Sequence, residues 1–428
     1  MKYLPIPNKL FIENRKRFSG RLKPKSMAIF NANDEMPRSG DGNFPFRQNA
    51  DLFWLSGIDQ EQTILVLFPD APVAAYKEIL FLRQTNEKIA IWEGHKYTVE
   101  EARLASGINT IMWLDEFNNV VPMLMHHAET CYLNTNENDR AVIEVPYRDL
   151  RFAREWQSRF PVHHFERSAP ILRDLRAVKL PEEIKLMQKA CDITGGAFNR
   201  VLNFVTPGVM EYEIEAEITH EFLCQRATGH AYSPIIASGY SACVLHYTEN
   251  NKAANEGEVI LMDFGAEYAN YAADLTRSIP ANGVFTKRQK EVYNAVLRVM
   301  KAATKMLIVG NTIDKFNAEV GKCMEDELIG LGLLSKAEVK KQNPDAPLYK
   351  KYFMHGTAHH LGLDVHDFGD RYQPMKAGMV FTCEPGIYIP DEKLGIRLEN
   401  DILLTEKGPV DLMGDIPLEA NDIEKIMK

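Results

Sequence analysis

Only six cysteines occur in the 428 residues, Cys131, Cys191, Cys224, Cys243, Cys323 and Cys383, and no two form a CxxC pair. That excludes a zinc ribbon and a thioredoxin-like redox site. Long apolar runs are scarce: the most compact in the N-terminal half, Ile64 to Phe68, has five residues. A membrane-crossing helix needs roughly 20. Met1 to Phe18 carries charges throughout and lacks the apolar core of a signal peptide. Positive charge is not in excess either. Lys plus Arg number 50 against 59 for Asp plus Glu, a net −9, so the balance gives no sign of a nucleic-acid partner. The basic cluster Arg15, Lys16, Arg17, Arg21, Lys23 and Lys25 is expected to form the solvated side of an N-terminal helix. A GxSxG elbow, a GxxxxGK[ST] loop and an HExxH helix are all missing. Gly330-Leu331-Gly332 lacks the third glycine of a dinucleotide fingerprint. The expectation is a cytoplasmic chain with reduced thiols and no membrane or nucleic-acid partner.

Hydrophobic residues at 45% and charged residues at 25% are globular values, and the length suits two to three domains. Over the first part, short strand-like runs (Met27–Phe30, Thr63–Phe68, Glu78–Leu82, Cys131–Leu133) alternate with helical patterns at Val99–Ala105 and Tyr147–Gln157. That alternation predicts an α/β N-terminal domain over residues 1–175. A second domain, 176–428, opens with Leu180-Pro181-Glu182-Glu183, a helix start. Its four predicted helices are interleaved with β-rich stretches at Ile235–Tyr247, Val259–Ile279 and Val380–Leu404.

Four of the 12 histidines, His355, His359, His360 and His366, fall within twelve residues. Gly356 and Gly362 interrupt this stretch and suit it poorly to a regular helix. In an extended chain His360 would face away from His359. The carboxylates are sharper. A hairpin centred in the Tyr268–Asn270 turn would set Asp263 directly opposite Asp274. A second, centred on Pro390-Asp391-Glu392-Lys393, would set Glu384 opposite Glu399. Facing residues in such pairs have side-chain bases about 5 Å apart, and like charges there repel. Two acid pairs beside a histidine cluster call for cations. Four carboxylates and one imidazole form a hard, oxygen-rich donor set that suits Mn²⁺ better than a thiolate-rich structural zinc site. Four acids exceed what one ion with an open position needs, so two ions sharing a hydroxide, and metal-assisted hydrolysis, are expected.

At this point the chain resembles a known family. Val244-Leu245-His246-Tyr247-Thr248-Glu249-Asn250, the Asp263/Asp274 pair, the run Met354 to Asp367, Glu384-Pro385-Gly386 and Gly395-Ile396-Arg397-Leu398-Glu399 look like aminopeptidase P. These pita-bread metallopeptidases remove the N-terminal residue when proline is second. The likeness is strong from Leu180 to Leu404, and Arg47-Gln48-Asn49-Ala50-Asp51 with Trp54 and Gly57 extends it into the N-terminal part. It implies an α+β pita-bread catalytic domain and two divalent ions, Mn²⁺ first, with Co²⁺ or Zn²⁺ as alternatives. Their ligands would be Asp263, Asp274, His359, Glu384 and Glu399. By the same resemblance His246, His355 and His366 line the substrate site, Tyr232 lies near the substrate amine, and Arg397 holds the carboxylates. Glu384 would move the proton to the leaving nitrogen. A homodimer or homotetramer acting on peptides with proline second is implied too. Asn400 stands where an acid is common, and His360 where a bulky aromatic often sits.

Other readings remain: a prolidase acting on Xaa-Pro dipeptides, or a pita-bread protein that only binds peptides. A dipeptidase needs a cation at the carboxylate end of its substrate. Ala231–Asn250 and Met354–Asp367 contain no Lys or Arg, and Arg371 is the nearest after them, so longer peptides are the expected substrates.

Overall fold

Beyond Arg176 the chain begins a second compact unit. A computed structural model of the protein describes residues 2–138, 140–141 and 144–428, in units spanning Tyr3–Arg176 and Ala177–Lys428. No helix among the described residues is long and apolar enough to cross a membrane.

The first unit is built on a six-stranded mixed sheet. Its order is Thr110–Trp113, Glu78–Leu82, Ile64–Leu67, Ser26–Asn31, Thr130–Leu133 and His164–Arg167 at the far edge. The central strands are buried along their whole length, which is why they read as unbroken apolar runs rather than alternating ones. Phe117, Val121 and Leu124 of one helix and Phe152 and Trp156 of another cover one face. Thr110–Trp113 and His164–Arg167 escape sequence reading because both are edge strands with no fully buried residue. The Arg47–Asp51 motif ends in the N-cap of helix Ala50–Ser56. There the Asn49 side chain accepts from the N–H groups of Asp51 and Leu52, and Asp51 pairs with buried Arg176 at 2.7 Å. Gly57 closes this helix at φ +68°, and a Cβ there would meet the Phe11 ring at 2.2 Å.

One expectation fails in this unit. Arg15 is not on a solvated face but fully buried. It donates to the carbonyls of Leu55 (2.8 Å) and Ser106 (3.0 Å) and stands 3.1 Å from Glu78. A guanidinium, with five donors in a fixed fork, can leave water when carbonyls and a carboxylate take its place. Nothing in a run of basic residues marks which one will do so.

The second unit carries two antiparallel hairpins. In the first, Val259–Phe264 pairs with Leu275–Pro280 and also with Ile235–Ser238. In the second, one register runs from Val380–Cys383 against Asn400–Thr405 into Gly386–Ile389 against Leu394–Arg397. Long helices Pro181–Phe204, Glu211–Cys224, Lys287–Met306 and Ile313–Gly330 accompany them. The third starts at the capping box of Thr286 and Gln289, whose side chains satisfy amide donors that a helix start leaves open.

Candidate metal centre

The two hairpins bring the four acids together, but not both in the expected register. In the second, Cys383 faces Asn400, Gly386 faces Arg397, and the Leu398 N–H donates to the Pro385 carbonyl. The same alignment sets Glu384 opposite Glu399, with the turn at Pro390–Glu392 and Lys393 at φ 52°. In the first hairpin, Asp263 faces Thr276, not Asp274. The turn centre is one residue later than expected, between Ala269 and Asn270, both in the left-handed region at φ 53° and 64°. A tight two-residue turn needs that conformation at both central positions, and Ala269 gives no sequence signal of adopting it. The acids are therefore diagonal neighbours, two positions apart along one face.

An isolated β-bridge, Thr276 with Glu399, joins the hairpins. It lines up Asp263, Thr276, Glu399 and Glu384 across the sheets, with Asp274 beside them. Into this row comes His359, carried by a segment running along Val380–Cys383: Thr382 N–H donates to the His359 carbonyl and Glu384 N–H to that of Thr357. Ligand atoms of Asp274, His359 and Glu399 lie within 4.8 Å of one another. His359 Nε2 stands 3.5 Å from Asp274 Oδ2 and 3.7 Å from Glu384 Oε1.

The tautomer of His359 follows from its other nitrogen. Nδ1 lies 3.0 Å from the His360 carbonyl, which can only accept, so Nδ1 carries a proton and Nε2 is the nitrogen turned toward the two carboxylates. Acceptors facing acceptors in a buried pocket repel unless a cation or proton lies between them. Burial pushes Asp274 and Glu399 well above the usual carboxylate range, helped by Asp263 in the first case and Asp274 in the second. Burial likewise raises Glu384 to about 7. Hard, oxygen-rich donors with unmet negative charge fit divalent cations.

Arg397 is the buried counter-charge. It donates to Asp263 Oδ2 at 2.5 Å, to the Tyr388 hydroxyl at 2.9 Å and to Thr276 Oγ1 at 3.1 Å. Tyr388 in turn meets His355 Nε2 at 2.8 Å, while His355 Nδ1 faces the Gly356 carbonyl at 2.7 Å. The carbonyl again places the proton on Nδ1, so Tyr388 donates to Nε2. Burial, with the Arg397 charge, pulls His355 down to about 4, leaving it neutral at pH 7. Tyr232 sets its hydroxyl 2.6 Å from both Asp263 and Asp274. His366 packs edge-on against His359 at 4.4 Å. His246 is exposed. His360 turns away and packs on Phe381, 4.3 Å between rings. Arg371 pairs with Asp314 at the surface.

Sequence reasoning passed over Thr276, Tyr388, Arg277 and Asp401. Arg277 is buried and donates to the carbonyls of Thr276, Glu399 and Pro417 and to Asn400 Oδ1. Asn400 hands its own N–H to Asp411 at 2.7 Å, so an amide here relays between cation and acid. Only the period-2 spacing of Thr276 from Asp274, and of Asp401 from Glu399, hinted that these residues share the centre.

A pH effect follows. Carboxyls whose folded pKa is raised contribute stability below their unfolded value of about 4 and lose it as pH climbs through the folded value. Chelator-treated protein should therefore melt higher at pH 6 than at pH 8, and added Mn²⁺ should flatten or reverse the trend by favouring the ionised acids. Asp149 in the first unit, raised by burial to about 7, acts with the same sign. Asp149→Asn separates the two. A melting temperature of the chelated variant that does not change between pH 6 and 8 would refute the account of the centre.

A model described as metallopeptidase family M24 matches residues 185–406, and one described as the aminopeptidase P N-terminal domain matches residues 11–132. The Xaa-Pro aminopeptidase of Haemophilus influenzae is 34% identical over 99% of this chain and 98% of its own length. Among solved structures, Pseudomonas aeruginosa aminopeptidase PepP superposes with a TM-score of 0.90 at 29% identity, covering 99% and 98% of the two chains. Zinc-substituted Escherichia coli aminopeptidase P in complex with product reaches 0.88 at 31% identity, covering 99% of each chain.

Proposed function

Because this chain belongs to the aminopeptidase P family of M24 metallopeptidases, we infer that its acidic centre binds divalent ions and opens the peptide bond ahead of a proline in second position. Its activity is that of a Xaa-Pro aminopeptidase. The observation that carries the reading is the gathering of ligand atoms of Asp274, His359 and Glu399 within 4.8 Å of one another, with Glu384 Oε1 3.7 Å from His359 Nε2.

In this reading Asp263, Asp274, His359, Glu384 and Glu399 hold two ions, with Mn²⁺ favoured by four carboxylates and one imidazole. Bound there, the ions supply an activated water and a Lewis acid for the scissile carbonyl. Around them each side chain has its task. Tyr232 and Arg397 fix the Asp263 and Asp274 carboxylates by hydrogen bonds, which holds the donor set open for the ions. Glu384 takes the proton of the attacking water and delivers it to the prolyl nitrogen, which is a tertiary amide in the substrate and must gain a proton as it leaves. His366, beside His359, donates to the carbonyl oxygen as charge develops on it. His355 stays neutral and, held by Tyr388, lines the substrate site with His246. The free α-amine of a peptide would bind near the ions, which restricts cleavage to the first bond.

Incubation with Xaa-Pro-Yaa-Yaa and Xaa-Pro peptides tests the reading. The longer peptide should be cut at least as well as the dipeptide, since the exposed Arg371 is engaged by Asp314 and Arg397 by Asp263. Turnover of dipeptides alone would overturn it.

A further inference from the structure

Asp274 sits where the two hairpins part. At the Thr276–Glu399 bridge the Glu399 N–H still donates to the Thr276 carbonyl at 3.1 Å. Two residues further along the same antiparallel alignment, Asp274 stands opposite Asp401, and there a side chain takes over from the backbone: the Asp274 N–H donates to Asp401 Oδ2 at 3.0 Å. Asp274 cannot turn this N–H toward its own hairpin. The neighbouring Ala273 bonds Ala266, so Asp274 opposite Gly265 belongs to the alternate pair whose N–H groups point outward. The two backbones also run close here, since a Cβ on Gly265 would lie 1.7 Å from the Ala273 carbonyl oxygen. Without Asp401 this amide would be a buried donor with nothing to meet, which costs about 1–3 kcal/mol.

Asp401 is itself a costly choice for a merely structural filler. It is fully buried. Oδ2 also receives the Cys191 thiol at 3.4 Å, yet Oδ1 is buried with no hydrogen-bond partner. Buried acceptors are nearly always satisfied, and one that is not calls for a reason. We propose that Asp401 is a positioning residue for the metal centre: by holding the Asp274 amide it sets the direction of the Asp274 carboxylate and so the affinity for the ion that Asp274 binds. This rests on the reading of Asp274 as a ligand.

Three variants test it: Asp401→Ala, Asp401→Asn and, as reference, Asp274→Ala. Deuterium uptake of metal-free protein over residues 271–276 should rise in Asp401→Ala. Calorimetric titration of metal-free protein with Mn²⁺ should show affinity lowered about 10–100-fold in that variant, the range for partners that orient metal ligands. Asp401→Asn keeps an amide oxygen for the Asp274 N–H and should retain both uptake and affinity. A structural role alone would lower melting temperature in both variants without moving affinity. Unchanged affinity in Asp401→Ala, or equal loss in Asp401→Asn, overturns the proposal. Should Asp401→Ala not fold, Asp401→Ser, whose hydroxyl falls short of the amide, serves in its place with the same expectation. Full affinity in Asp274→Ala would instead refute the ligand reading; loss there with none in Asp401→Ala would refute the positioning role alone.

Discussion

Replacing Asp274 with alanine should cost essentially all turnover while leaving the fold intact. Elemental analysis of Mn²⁺-loaded protein should fall from two ions per chain toward one. The loss of rate should exceed the ~10²–10³-fold that removing a single oxyanion donor costs, because both the nucleophile and the carbonyl depend on the ions. Stability should move the other way. Asp274 is a buried carboxylate held well above its usual range by burial and by Asp263, so its removal relieves repulsion in metal-free protein. The melting temperature of chelated Asp274→Ala at pH 8 should equal or exceed that of the parent. Full activity in the variant would end its assignment as a ligand.

Changing Glu384 to glutamine should lower kcat by about 10²–10⁴-fold, the scale of a lost general acid–base group. The amide preserves shape and one oxygen donor, so metal content should drop much less than in Asp274→Ala. Burial raises Glu384 to about 7 in the metal-free centre. A carboxylate can take up and give back a proton, and an amide cannot. Because proton transfer matters in the transition state and not in substrate binding, KM should change little. If kcat of the glutamine form stays within about threefold of the parent, proton transfer belongs to another group.

The two expected results rely on residues that were unequally visible beforehand. Glu384 and Glu399 could be aligned from Pro390-Asp391-Glu392-Lys393 alone, since a turn sequence fixes the register of the strands it joins. Asp263 and Asp274 were recognisable as neighbours, but their offset was hidden. It depends on Ala269 taking a left-handed conformation, which alanine adopts only when the surrounding structure holds it there. The burial of Arg15 is hidden for a related reason. Its burial is decided by carbonyls of Leu55 and Ser106 and by Glu78, all 40 or more positions away in the chain.

What the sequence determines by itself is chemistry and local geometry: which side chains can bind a hard cation, the periodicity that makes strands or helices, and the turns that set a register over a dozen residues. These are short-range properties. The tertiary structure alone decides how the two hairpins meet. Thr276 and Glu399 bridge across 123 positions, Tyr388 links Arg397 to His355, and Asp401 reaches the amide of Asp274. Contacts of that kind arise because a buried N–H or carboxylate must find a partner wherever the folded chain brings one. No periodicity along the chain encodes which partner it will be.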